Sequence, residues 1–257
     1  MPRYPRASGL SYALGPGPMT PAIKILIAIN VAVYLLSMIV PEIIVRLGLR
    51  PDQVFGHFAI WQPVTYLFLH EPPPAVSHIL FNMLMLWMFG TELERMWGTR
   101  FFTKYYFIAG IGAAVTTLLW SISPLPYAES MYYTVTIGAS GAIYGVLLAY
   151  ALYFPNRLIY VYAIVPIPVK YFVMIMGAIA FLSSLGSSGS GIANVAHLGG
   201  LVVGYLYLKT LRGRPLDELK YRWLKWKMGR ARSRFDVYSG GRRDDDSWKS
   251  DWKKHIH

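Results

Sequence analysis

The sequence predicts an all-α polytopic membrane protein, a bundle of six transmembrane helices with cytoplasmic N- and C-termini. Three observations predict it. The 257 residues are 54% hydrophobic and 15% charged, with a mean hydropathy of +0.37, against about 25% charged residues in an ordinary soluble domain. Apolar residues gather into six runs, each near the ~20 residues that cross ~30 Å of hydrocarbon. Lys and Arg alternate between the segments that join those runs, which is the signature of membrane topology.

Taken in order, residues 1–20 hold Arg3 and Arg6 among many Pro and Gly. They lack an apolar stretch followed by a cleavage site, so they read as a retained cytoplasmic segment rather than a removable signal peptide. The first run covers residues 21–40, with Pro21 suited to a helix start. The others cover 76–89, 101–122, 137–154, 169–185 and 192–208. The second and fourth are short and glycine-flanked, so neighbours are expected to shield part of them. Residues 41–77 are too long for a tight turn and too apolar for a solvated loop. Trp61, Tyr66, Phe68 and Leu69 fit either an element in the interfacial layer, which Trp and Tyr favour, or a loop packed on the bundle.

Orientation follows from charge. Arg3 and Arg6, then Arg95, Arg100 and Lys104, then Arg157 and Lys170, then the tail fall on one side. The other side has only Arg46 and Arg50 in the first loop. The expected organisation is a cytoplasmic segment 1–20, a transmembrane domain 21–210 and a basic cytoplasmic tail 211–257, in a cell (plasma or inner) membrane. From Lys209 onward, fifteen Lys/Arg stand against seven Asp/Glu, so the stretch that begins there carries eight of the twelve net positive charges. Tyr221, Trp223 and Trp226 among its cations read as a juxtamembrane helix held by anionic lipid. A nucleic-acid site has similar composition, but the preceding spans place the segment at a bilayer, so no nucleic-acid partner is expected. Residues 239–257 are polar and read as disordered.

The chain has no cysteine, which excludes disulfides, thiolate metal sites and a cysteine nucleophile. Its histidines are scattered, with no His-Glu-x-x-His pair, so neither metal nor other cofactor is expected. Polar groups inside apolar runs are costly and draw attention. Ser140 opens the fourth run within Gly138-Ala139-Ser140-Gly141. Helix N-termini offer unpaired N–H donors that can stabilise an oxyanion, while small residues equally serve helix–helix contact. His197 lies in the sixth run near a face made by Gly200 and Gly204, which lets a neighbour approach. It reads as a structural histidine or, beside a serine, as a base. His78 and Asn82 share a helical face at i, i+4; they could bond a neighbouring helix or donate to one oxyanion.

Together these residues resemble the rhomboid family of intramembrane serine proteases, of bacterial or archaeal type, across all six runs. The motifs are Trp61-Gln62 with Phe68-Leu69-His70, His78-x-x-x-Asn82, Gly90 with Glu94, Gly138-Ala-Ser-Gly-Ala-Ile-Tyr-Gly145, and Ala196-His197-x-x-Gly200-x-x-x-Gly204. The resemblance implies Ser140 as nucleophile and His197 as general base of a dyad, with Tyr144 packed on the imidazole. It implies His78 and Asn82 as oxyanion donors beside the Ser140 N–H, with Gly138 and Gly141 leaving room for a substrate carbonyl. Glu94 matches a position that ties helix ends together. The implied partners are transmembrane protein substrates and the lipid bilayer. Two departures stand out: Gln62 occupies a position where many bacterial relatives have arginine, and Glu71-Pro72-Pro73-Pro74 enlarges the first loop. Both dyad residues are present, unlike in a non-catalytic relative. No internal repeat points to a transporter.

Overall fold

The computed structural model describes residues 16–126, 128–161, 165–185 and 191–213. Residues 1–15 and the tail helix and disordered end expected after residue 213 lie outside the described residues. Helix α1, Pro21–Ile39, starts with Pro21 in its first turn, where the missing N–H costs nothing. It ends at Val40, which precedes Pro41 and is biased away from helical backbone. Ile23, Leu26, Asn30, Tyr34 and Ser37 form its buried stripe, while Ile25, Ile29, Leu35, Leu36 and Met38 are exposed. Apolar residues on both sides mark a helix without a water-facing side.

The long first loop folds into short helices α2 (Glu42–Leu47), α3 (Pro51–His57) and α4 (Gln62–Thr65), then a tight turn at Tyr66–Phe68. The interfacial reading applies to only part of it: Trp61, Phe58 and Ile60 are exposed, whereas Tyr66 and Leu69 are buried. Helix α5 (Val76–Met85) runs on through a widened π-turn, Leu86–Gly90, into α6 (Thr91–Trp97). The expected end at residue 89 falls short, because Glu92, Glu94 and Arg95 look like a helix exit. Glu94 is instead 2% exposed and Glu92 pairs with Arg157.

Helix α7 (Thr99–Ser121) follows after Gly98 and packs on α6, and α8 (Ala128–Tyr133) leads into α9 (Ser140–Tyr153). The fourth run was expected from residue 137; residues 137–139 are not helical. Fourteen residues rise only ~21 Å, less than a bilayer core. The π-turn, α7, α10 (Val169–Leu185) and other elements pack on α9, and nine of its residues are buried. Helix α11 (Gly191–Gly213) closes the described chain. Among the described residues, α1, Val76–Trp97 and α7 are long and apolar enough to cross a membrane, whereas α9 and α10 are apolar but shorter. The fold is mostly helical with one exception. Strands β1 (Leu158–Val161) and β2 (Val165–Pro168) pair antiparallel, with Ile159 opposite Ile167 and Tyr160 opposite Pro166. Their β-branched and aromatic content favours strand.

Candidate active site

Ser140 is the first residue of α9. The chain enters it through Gly138, whose φ of +122° lies where only glycine is at ease. The Gly138 N–H donates to the Tyr66 carbonyl at 3.0 Å, and the Ile143 N–H closes the first turn on the Ala139 carbonyl. The N–H groups of Ser140 and Gly141 precede any intrahelical acceptor. Gly138 therefore contributes space to the site, while its own N–H is committed elsewhere.

Helix α11 reaches α9 with almost no side chain between them. A Cβ on Gly200 would lie 1.8 Å from the Gly141 carbonyl oxygen, and one on Gly204 would lie 3.2 Å from Gly145 Cα and 2.6 Å from the Tyr105 hydroxyl. On the α7 side, a Cβ on Gly141 would sit 2.6 Å from Ala113 Cβ, and one on Gly199 would sit 2.6 Å from Thr116 Cβ. This backbone-to-backbone approach brings His197 Nε2 to 2.8 Å from Ser140 Oγ. The imidazole stacks on the Tyr144 ring, with centroids 4.2 Å apart and planes 5° from parallel. Its Nδ1 is buried and has no hydrogen-bond partner among the described residues. The ring is thus held by Tyr144 and by the contact with Ser140 rather than by a carboxylate.

His78 faces the same space. A Cβ on Gly138 would lie 3.0 Å from His78 Nε2 and 3.6 Å from Ser140 Oγ. The gap above Gly138 is therefore bounded by a serine oxygen and an imidazole nitrogen. The Glu71 N–H donates to His78 Nδ1 at 3.4 Å, which leaves the Nε2 position protonated in the neutral ring. Asn82 is buried, and its Nδ2 donates one hydrogen to the His78 carbonyl at 2.7 Å; a second amide hydrogen remains. His70 is fully buried, with its ring edge-on to His78 and centroids 5.1 Å apart. Burial, and then the neighbouring His78, hold the His70 imidazole well below its ordinary range, to about 3.

Glu94 lies apart from this cluster. It accepts hydrogen bonds from Ala22 N (2.9 Å), Ile23 N (3.1 Å), Thr99 Oγ1 (2.7 Å) and Thr20 Oγ1. It thereby joins the starts of α1 and α7 to α6. Gly90 lets Ile23 pack close, since a Cβ there would lie 2.5 Å from Ile23 Cδ1.

Two tyrosines hold the frame. The Tyr66 hydroxyl donates to the Gly110 carbonyl and the Tyr105 hydroxyl donates to the Gly145 carbonyl, both at 2.7 Å. The available signal was a phenol in an apolar stretch, which when buried needs an acceptor. Gln62 is buried, accepts from Arg50 N at 2.9 Å and donates to the Arg46 carbonyl at 3.3 Å. A neutral amide thus anchors the first loop at the position where arginine was expected.

Fold and site define a class: an apolar helical bundle with a serine–histidine contact in its interior. The family model described as Rhomboid domain matches residues 57–214. Rhomboid protease AarA of Providencia stuartii is 32% identical over 51% of this chain and 49% of its own length. Rhomboid protease GluP of Bacillus subtilis is 31% identical over 66% of this chain and 30% of its own. Rhomboid protease GlpG of Yersinia pestis is 27% identical over 74% and 61%. The chain belongs to the rhomboid family. It spans half or less of the length of the first two of these relatives. Family and apolar helices together mark it as membrane-embedded.

Proposed function

We propose that the protein is an intramembrane serine endopeptidase that cleaves transmembrane segments of membrane proteins near the non-cytoplasmic face. The observation that carries this reading is the 2.8 Å contact between Ser140 Oγ and His197 Nε2. The names of the relatives, rhomboid proteases, point the same way. Neutral His197 takes the Ser140 proton as Oγ attacks a peptide carbonyl. The oxyanion settles in the gap above Gly138, where His78 Nε2–H, Asn82 Nδ2–H and the Ser140 N–H can donate; each such donor is worth about 10²–10³-fold. The imidazolium then protonates the leaving amine, and water, activated by the same base, hydrolyses the acyl-enzyme. Tyr144 takes over the orienting task that an aspartate performs in a triad.

This reading includes six spans with both termini cytoplasmic in the cell membrane. In this reading Ser140, at the start of the short α9, lies below the outer surface in a cavity that water reaches from the non-cytoplasmic side. A substrate helix satisfies its own backbone bonds, so segments that unwind easily near their outer end are preferred. The basic tail meets anionic lipid on the cytoplasmic side. Reconstituted protein should cleave a single-span reporter and react with a serine-directed fluorophosphonate. Ser140→Ala should abolish the labelling and lower cleavage at least ~10³-fold; full cleavage by that variant would refute the mechanism.

A further inference from the structure

Away from the dyad, a cavity of about 410 Å³ opens in the first loop, lined by Val45, Arg46, Arg50, His57, Trp61 and Gln62 among others. This volume falls within the ~300–1,000 Å³ of ligand sites. Its wall is built rather than loose: Trp61 Nε1 donates to the Arg46 carbonyl at 3.1 Å, Thr65 Oγ1 to the Leu47 carbonyl at 2.6 Å, and Arg50 N to Gln62 Oε1 at 2.9 Å. Arg50 is paired with Asp52 at 2.6 Å. The guanidinium of Arg46 is exposed and has no acidic partner among the described residues. Val45 in the lining stands exposed, and so do Phe58 and Ile60 on either side of the lining residue Ala59, Phe58 at 77% and Ile60 at 76%. An exposed apolar rim of this kind marks a contact surface, and in a membrane-embedded chain the adjoining apolar material is acyl chain.

We propose that this cavity binds an anionic phospholipid, its phosphate at Arg46 and Arg50 and its acyl chains along the Val45–Phe58–Ile60 rim. The charge is complementary, since both guanidiniums are cationic and only Arg50 is neutralised. The same segment reaches the serine by two routes. Trp61 and Gln62 lead into Tyr66, whose carbonyl holds Gly138. Leu49 exchanges backbone hydrogen bonds of 2.9 and 2.8 Å with Thr136, four residues before Ser140. On the protease reading above, the bound lipid braces the loop against the turn that carries the nucleophile and raises activity.

The test measures binding without cleavage, so it stands or falls separately from the Ser140→Ala result. Full-length protein in detergent is titrated with phosphatidylglycerol or phosphatidylcholine brominated on the acyl chain. The quenching lost in Trp61→Phe isolates the signal of this site from the other tryptophans. The wild type should be half-quenched at about fivefold less phosphatidylglycerol than phosphatidylcholine, the worth of one cation near anionic lipid. Arg46→Gln should erase that preference, Arg46→Lys should keep it, and neutralising Lys225 and Lys227 in the tail should leave it unchanged. Equal quenching by the two lipids, a preference that survives Arg46→Gln, or one that disappears with the tail charges would overturn the proposal.

Discussion

The α9–α11 contact and the first loop both position the groups around Ser140, by opposite means. Between α9 and α11, glycine backbone lies on glycine backbone at Gly141 and Gly200, and no side chain stands between them there. In the first loop, short helices are held by side-chain bonds to carbonyls, from Trp61, Gln62 and Thr65. A contact made by shape fails all at once when an atom is added. A contact made by hydrogen bonds fails by degrees as bonds are removed. The Ser140–His197 contact, which the proposed chemistry needs tight, sits on the first kind; the loop that leads to Gly138 sits on the second.

The comparison is broken most sharply at Gly200. Gly200→Ala places a methyl 1.8 Å from the Gly141 carbonyl oxygen, so α11 must move away and carry His197 with it. A displacement of about 1 Å costs on the order of 10²-fold in rate; reporter cleavage by the purified variant measures it. Retention of near wild-type cleavage would mean that the helices are not in direct contact.

Gln62→Ala tests the softer region. It removes the acceptor of the part-buried Arg50 N–H and a donor to the Arg46 carbonyl, which costs about 1–3 kcal/mol. Thermal unfolding should start lower, while cleavage at low temperature should fall less than tenfold. A loss as large as that of Gly200→Ala would erase the distinction between the regions.

The effect that vanishes near neutral pH concerns acid stability. His70 is held neutral by burial, with its folded value near 3 against about 6.5 when unfolded. The unfolded chain therefore binds more protons between those values. The contribution is intact above about 6.5 and lost as pH falls toward 3, with a slope of at most ~1.4 kcal/mol per unit. His70→Gln should flatten the acid limb of a stability–pH curve by about one proton; an unchanged limb would place the acid sensitivity elsewhere.

The apolar runs and the Gly-x-Ser-Gly and His-x-x-Gly-x-x-x-Gly motifs were legible because lipid imposes length and glycine imposes proximity. The continuation of the second helix to Trp97 was not, since its charges are satisfied by partners far along the chain, Thr20 and Arg157. Tyr66 fitted an interfacial element and a loop packed on the bundle equally well, because an aromatic residue does not declare its depth. Its burial depends on the Gly110 carbonyl, 44 residues away. The short strands of residues 158–168 were hidden inside a sequence read for helical spans.

The π-turn at Leu86–Gly90 has a geometric consequence for the helix that contains it. One additional residue in a turn advances the following residues by about 100° around the axis. The half before the turn brings His78 beside Gly138 and Ser140, and the half after it aims Glu94 at the start of α1. The two halves are thus phased separately, like two gears keyed to one shaft at different angles. Excising one residue from 86–90 would leave both sets of side chains intact, yet only one of them could mesh at a time.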